Sequence, residues 1–257
     1  LESEEGSEQP TGLHRTVEWK ACNFYSKNGV FVSRKVLLTG ATGFVGKQVL
    51  KALQADNVDI TLVVRSGWRK KIKNQEGVIA FFETEDIFSE SPEWWTTTCH
   101  NIDTVIHLAW YAKPGKYLLS DKNIDCLTGS LNLARGAIIA GVRRFIGVGT
   151  CFEYDLTSCM LSTDTPLNPT TPYAAAKAAT YLTLSQWLPQ KNIEFAWCRL
   201  FYLYGEGEDD RRLVPYIRSK LEDNQLAELT SGDQIRDFMD VSKAGNMIVN
   251  VAFDSVQ

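Results

Sequence analysis

No stretch of this 257-residue chain stays apolar for anything near the ~20 residues that a bilayer-crossing helix requires. The first ten residues are acidic and polar, without the basic start and apolar middle of a secretory signal. Positive charge is not in excess: 27 Lys and Arg stand against 31 Asp and Glu, a net charge of −4. No global field therefore draws the protein to nucleic acid or to an anionic membrane. Histidine is scarce, at three, and the six cysteines include no Cys-x-x-Cys and no cluster with those histidines. That spacing excludes structural zinc and a disulfide framework, and no metal site is expected. Reduced thiols and a cytoplasmic setting are the corresponding expectation. Internal repeats and low-complexity linkers are absent as well. What remains is 44% hydrophobic, enough for one sizeable α/β core.

The apolar residues fall into alternating short runs and helical stripes. Lys35–Thr39, Ile60–Arg65, Val78–Phe82, Thr104–Ala109, Arg144–Val148 and Phe195–Leu200 read as buried strands. Val45, Val49, Leu50 and Leu53 recur at helical spacing, and Asn123–Ala140 carries a stripe of Ile124, Leu127, Leu131, Ala134 and Ile138. Tyr173–Leu188 reads as a helix entered through Thr171-Pro172. Strands alternating with helices in this way predict an α/β fold with a doubly wound parallel sheet, Rossmann-like. Beyond about Tyr204 the alternation weakens, and a small C-terminal lobe over the carboxyl edge of the sheet is expected.

Between the first strand and the first helix lies GATGFVG, with Gly40, Gly43 and Gly46 three residues apart. Glycine permits the tight turn and lets backbone N–H groups, with Thr42, Phe44 and Val45 between, approach a dinucleotide diphosphate at the helix N-terminus. The end of the second strand should meet the adenosine ribose. An acid there would accept from the 2′-hydroxyl of NAD, but this strand ends on Arg65, followed by Arg69, Lys70 and Lys71. A guanidinium pairs with a 2′-phosphate, so NADP is the expected cofactor, with NAD as the alternative. These elements divide the chain into a partly disordered leader over 1–34, a dinucleotide-binding domain over 35–204, and a partial substrate lobe over 205–257 that returns to the core.

Tyr173 and Lys177 lie one helical turn apart and share a face. A Tyr hydroxyl titrates near ~10, too high for a base near neutrality, and a neighbouring ammonium lowers it. Lys177 can do this and also hold a ribose hydroxyl. Thr150, expected just past the fifth strand, supplies a third hydroxyl toward the reacting oxygen. Tyr-x-x-x-Lys is common on helices, and only the glycine turn upstream gives the pair meaning.

With these features in order, the chain resembles the extended short-chain dehydrogenase/reductase family of nucleotide-sugar epimerases, dehydratases and reductases. The resemblance runs from about Val36 to Val241. It rests on TGATGFVG, Asp86-Ile87 after the third strand, His107-Leu108-Ala109, Asn123 opening a long helix, Thr150 before Tyr154, Pro172-Tyr173 with Lys177, Arg199 through Tyr204-Gly205, and Arg236-Asp237-Phe238 with Val241. It implies cofactor contacts at Asp86, Ile87, Leu108, Ala109, Asn123 and Lys177. It also implies catalysis by Tyr173, Lys177 and Thr150, and substrate contacts at Cys151, Arg199 and Arg236. Arg236 would meet a substrate diphosphate or else form a structural ion pair with Asp237 or Asp240. Trp110, after the fourth strand, would border the sugar pocket or wall the core. The family's lobe usually extends beyond Arg-Asp-Phe, so a truncated lobe is expected. A homodimer through helices 123–140 and 173–188 is a further expectation from the resemblance.

Departures from the family pattern narrow the reaction. Dehydratases of this type carry Asp-Glu directly after the Thr; here stand Cys151 and Phe152, with Glu153 one position too far. Enzymes that shuttle protons at carbon use a Cys and a His; Cys151 is one position off, and 206–215 holds no His. Reduction of a 4-keto nucleotide sugar and 4-epimerisation with retained NAD remain, and Arg65 favours the reductase. A non-catalytic dinucleotide sensor is the reading of a different class; such modules typically lose the Tyr or the Lys, and both are present here.

Overall fold

The computed structural model describes residues 34–158 and 160–254. The expected leader lies outside them except for Arg34, which opens the first strand, and Cys22 and Cys159 lie outside them too. Six strands form one sheet: β1 (Arg34–Thr39), β2 (Val58–Arg65), β3 (Val78–Thr84), β4 (Thr104–His107), β5 (Arg144–Thr150) and β6 (Glu194–Leu200). Their spatial order is β3-β2-β1-β4-β5-β6, and every pairing is parallel. The order reverses between β1 and β4, so a crevice opens at their carboxyl ends, where ligands bind in such sheets.

Strand alternation divides the core between two faces. Val36 and Leu38 of β1 join Ile60, Leu62 and Ile106 on one face, under α1 (Phe44–Ala55) and α6 (Val241–Phe253). Leu37 joins Val105 and Phe145 on the other, under α2 (Pro92–Thr98), α3 (Lys122–Ala140) and α4 (Pro172–Trp187). The chain ends of these helices are set locally. Thr171 accepts the Ala174 N–H at 3.2 Å and Pro172 occupies the first turn of α4. Asp240 accepts from Ser242 at 2.8 Å and opens α6, and Gly141, with φ of 78°, closes α3.

Some strand ends differ by one or two residues from those read in the sequence, and one helix was not read at all. β4 stops at His107 rather than Ala109, because the Ala109 N–H turns to the Thr39 hydroxyl. β5 runs on through Thr150, whose pairing with Leu200 keeps it in the sheet, so Thr150 ends the strand rather than following it. Helix α2 was not foreseen: its two Trp and three Thr favour a strand by propensity, yet Ser91 caps it and burial of Trp95 holds it as a helix.

Beyond β6 the chain leaves the main sheet. β7 (Tyr202–Tyr204) pairs in parallel with β8 (Phe238–Asp240), flanking α5 (Leu213–Glu222). β7 thus belongs to a second, two-stranded sheet, although the sequence reading had placed its residues in the first domain. Helix α6 returns to the core through Ile248, Val249 and Ala252. Arg144 secures its end, donating to Ala252 O at 3.1 Å and to Asp254 O, while pairing with Glu194 at 2.6 Å. Among the described residues no helix is long and apolar enough to cross a membrane.

Two residues on opposite faces of α3 test this layering. Leu133 is fully buried and Ile139 is 67% exposed. Leu133→Ala should lower the urea-unfolding free energy by about 3 kcal/mol. Ile139→Ala should change it by under about 0.5 kcal/mol.

Candidate active site

The crevice is built from the glycine turn outward. Gly40 adopts φ of 77°, and a Cβ there would meet the Ala109 nitrogen at 2.8 Å. A Cβ on Gly46 would stand 1.9 Å from the Gly40 carbonyl oxygen. Both positions therefore exclude a side chain, one by conformation and contact, the other by contact alone. Gly43 caps α1 without covering the helix's first N–H groups, and Thr42, Phe44 and Val45 remain partly accessible around it. The result is a backbone cradle with the positive end of a helix behind it, which fits a diphosphate.

A chain of hydrogen bonds ties this turn to β4 and α3. The Ala109 N–H donates to Thr39 Oγ1 at 3.2 Å, and Thr39 Oγ1 lies 2.8 Å from His107 Nδ1. His107 Nε2 lies 2.8 Å from Ser130 Oγ, which donates to the Cys126 carbonyl at 2.7 Å. Ser130 has spent its proton, so Nε2 must carry the imidazole hydrogen and Nδ1 must accept from Thr39. Burial, with the Lys177 charge adding to it, drives the His107 pKa down to about 3 and keeps the ring neutral. Leu108 packs onto the core beside this relay.

At the far end of β2, Arg65 is exposed and its guanidinium lies 4.8 Å from the Trp68 ring centroid. Lys71 Nζ sits 3.3 Å from the same ring, and Arg69 stacks on Phe81 at 4.4 Å. The nearby Glu83 carboxylate is engaged by the Gly67 N–H at 2.7 Å. Asp86 lies in the turn after β3, where its side chain accepts the Phe88 N–H, and Ile87 packs on the core.

Lys177 is 4% exposed, and its Nζ donates to the Val148 carbonyl at 2.5 Å. Burial lowers its pKa to about 7, against the pull of Glu153 and Cys126. Tyr173, one turn away, is half-buried against Tyr117, with centroids 4.8 Å apart and rings at 89°. Burial and the Tyr117 phenol push the Tyr173 hydroxyl upward, opposed by a hydrogen bond with Thr150. This corrects the expectation that the neighbouring ammonium would bring it down: with the ring desolvated, Tyr173 stays a proton donor.

Two residues not singled out for the site support it from beneath. Glu153 is fully buried and accepts the Thr150 N–H at 2.8 Å, the Trp197 indole N–H at 3.1 Å and Arg199 Nε at 2.7 Å. A Cβ at Gly149 would lie 2.2 Å from the Glu153 carboxylate and from the Trp197 indole nitrogen. The signal for this cluster was the pair Gly147 and Gly149 inside a strand, which marks a close approach by other groups.

The remaining expected residues fall unevenly. Arg199 is bound to Glu153 and Tyr154, with its guanidinium over Tyr181 at 4.3 Å, so it is tied into the wall. Asn123 is fully buried: both amide hydrogens go to the Tyr117 and Ser120 carbonyls, and its oxygen accepts from the Trp110 indole. Cys151 is buried, its thiol pushed up by desolvation, with Thr150 and Arg236 opposing. Arg236 is exposed on the lobe, 5.4 Å from the Tyr202 ring, and it donates to its neighbour's carbonyl rather than pairing with Asp237 or Asp240. Trp110 lies against Lys177, 3.9 Å from Nζ.

A tight glycine turn at the switch point of a parallel sheet of this order defines a Rossmann-like α/β fold. Residues 36–253 match the NAD dependent epimerase/dehydratase family, and the chain belongs to it, as an enzyme of the extended short-chain dehydrogenase/reductase type. It is 25% identical to the dTDP-6-deoxy-L-talose 4-dehydrogenase (NAD(+)) of Aggregatibacter actinomycetemcomitans, covering 80% of this chain and 75% of that one. It is 28% identical to the UDP-glucose 4-epimerase of Vibrio cholerae, covering 68% of this chain and only 53% of that one. The chain thus spans about half the length of that epimerase. Among solved structures, the UDP-N-acetylglucosamine 4-epimerase of Methanobrevibacter ruminantium M1 in complex with UDP-N-acetylmuramic acid superposes with a TM-score of 0.72. The match covers 86% of this chain and 73% of that one at 22% identity, which speaks to the fold.

His107 offers a test of the relay. Folded His107 stays neutral down to about pH 3, whereas an unfolded His takes a proton near 6.5. Between those values the unfolded state binds more protons, so stability falls as pH is lowered, by about 1.4 kcal/mol per unit. His107→Asn should flatten the pH dependence of urea-unfolding free energy across this window by one proton's slope.

Proposed function

We propose that the enzyme is an NADP(H)-dependent oxidoreductase acting on the C4 keto or hydroxyl group of a nucleotide-activated deoxysugar. The observation that carries this reading is the buried Lys177, its Nζ donating to the Val148 carbonyl one helical turn from Tyr173, with Thr150 at the carboxyl end of β5 and burial raising the Tyr173 hydroxyl. Gly40, Gly43 and Gly46 with Thr42, Phe44 and Val45 would hold the diphosphate, and Asp86 and Ile87 would border the adenine. Ala109 and Leu108 would floor the crevice, and Arg65 with its basic neighbours would take the 2′-phosphate. A bound nicotinamide supplies or accepts the hydride at carbon.

The chain's own residues handle the proton. Tyr173, desolvated and held as a phenol, donates to the carbonyl oxygen as it gains negative charge. Thr150, ending β5 and capped by the Glu153 turn, donates a second hydrogen bond to that oxygen and orients it. The Lys177 ammonium favours the phenolate left behind and anchors a ribose hydroxyl. Arg236, exposed beside Tyr202, pairs with no carboxylate among the described residues and suits a substrate diphosphate. Cys151 and Phe152 after Thr150 offer no acid pair, which argues against dehydration; Glu153 is committed to Arg199. The likeness to 4-epimerases supports a second reading, epimerisation with retained NAD. Exposed Ile124 and Ile139 on α3 and Leu182 on α4 support a homodimer through those helices.

Nicotinamide absorbance, with NADPH and NADH offered in parallel against 4-keto-6-deoxy nucleotide sugars, tests the assignment. NADPH consumption should dominate, and Tyr173→Phe should cut it by roughly a thousandfold. Arg65→Glu should raise the KM for NADPH by about tenfold while sparing NADH, a loss of about 1.4 kcal/mol. UDP- or dTDP-hexoses changing at C4 without net redox would overturn the reductase in favour of the epimerase.

A further inference from the structure

Lys177 is a cation in a place with little to solvate it. Its ammonium can donate three hydrogen bonds, and among the described residues one acceptor takes them up, Val148 O at 2.5 Å. The largest group beside it is not polar: the face of Trp110, 3.9 Å from Nζ, with the Trp197 ring farther off at 5.7 Å. Trp110 is itself fixed from behind. Its indole N–H donates to Asn123 Oδ1 at 2.9 Å, and Asn123 is locked by bonds from its amide to Tyr117 O at 2.7 Å and Ser120 O at 2.8 Å. Its ring edges meet Phe88 at 6.4 Å and Tyr173 at 6.5 Å. A ring held at that many points can present one face to one cation, and an aromatic face attracts a desolvated ammonium.

We propose that Trp110 is a positioning residue for Lys177: its clamped indole face holds the ammonium, charged, between the Val148 carbonyl and the Tyr173 side of the crevice. The role assigned to Trp110 is thus neither sugar platform nor inert wall, and Asn123 acts on the site through it. The catalytic meaning of this rests on the Tyr173–Lys177 reading above; the hold on the ammonium does not. Other groups also bear on Lys177. Glu153, from the turn after β5, and Cys126, from α3, favour its charge, while neutral His107 of β4 leaves it unchanged. The Trp197 ring offers a second aromatic face but lies farther off, at 5.7 Å, and Trp110→Leu leaves it and the charged groups in place, so the contribution of Trp110 is separable from theirs.

The sign of one measurement decides between positioning and packing. Protein carrying [13Cε]lysine is titrated by NMR, with the Lys177 signal assigned by its loss in Lys177→Gln. If the indole face stabilises the ammonium, the Lys177 pKa should fall in the order wild type, Trp110→Phe, Trp110→Leu, with the leucine variant lower by about one unit. Trp110→Phe keeps an aromatic face and guards against a leucine variant that folds poorly. If Trp110 is only a wall, shrinking it admits water, which eases the charge and leaves the pKa unchanged or raised; that result would overturn the proposal. In the turnover assay the alkaline limb of kcat should move down by the same amount in Trp110→Leu, and an unmoved limb would also count against it. Tyr173→Phe separates the two readings. Full activity in that variant would sink the catalytic assignment and leave the titration order standing, whereas an inactive variant with a flat titration order would sink only the role of Trp110.

Discussion

An ammonium, a carboxylate and a guanidinium lie out of water together under the carboxyl end of β5, and the surrounding structure is organised around making that tolerable. Buried charges are costly unless paired and hydrogen-bonded. Glu153 meets the condition with the Thr150 N–H, the Trp197 indole and Arg199, all within 3.2 Å. Lys177 meets it less completely, with one carbonyl and an aromatic face, and its pKa falls to about 7 in consequence. The requirement reaches into the strand itself. Gly147 and Gly149 leave the room that the Trp197 ring and the Glu153 carboxylate occupy, at the expense of two strand positions without side chains.

The same economy of space governs the cofactor side. The glycine turn, the start of α1 and the Ala109 backbone approach within distances that no side chain survives. Thr39, His107 and Ser130 then bridge β1, β4 and α3 with a single proton order, so the two sides of the crevice are tied through the switch point of the sheet. The glycine turn and the Lys177 side of the crevice are thereby held by backbone and buried polar bonds rather than by loops. Under the proposed function, specificity would fall to exposed groups: Arg65 with Trp68 and Lys71 at one end, Arg236 on the lobe at the other.

Much of this was legible from residue order. The strand runs and the helix over Asn123–Ala140 appear within a residue or two of their expected places, because a parallel sheet buried on both faces demands continuous apolar runs. The buried face of that helix, however, runs through Cys126, Ser130, Leu133 and Ala137, while Ile124 of the expected stripe is exposed. Helix α2 was not legible, since Trp94, Trp95 and three threonines are weak helix formers and burial of Trp95 decides for the helix. The Tyr-x-x-x-Lys pair was visible, but the effect on Tyr173 was not. A motif states that two groups share a face; it does not state how much water each keeps, and desolvation reversed the expected direction.

By itself the sequence determined the order of elements, the glycine positions where no side chain fits, and the Thr, Tyr and Lys brought to one edge. Those are consequences of local sterics and of which residues must leave water, and both are written in residue type and spacing. Only the tertiary structure decided that Glu153 turns inward to Arg199, that Asn123 grips Trp110, and that Trp110 faces Lys177. These contacts join residues from different strands and helices. Their energies depend on distance and on exclusion of solvent, and neither exists until the sheet and its helices have closed around them.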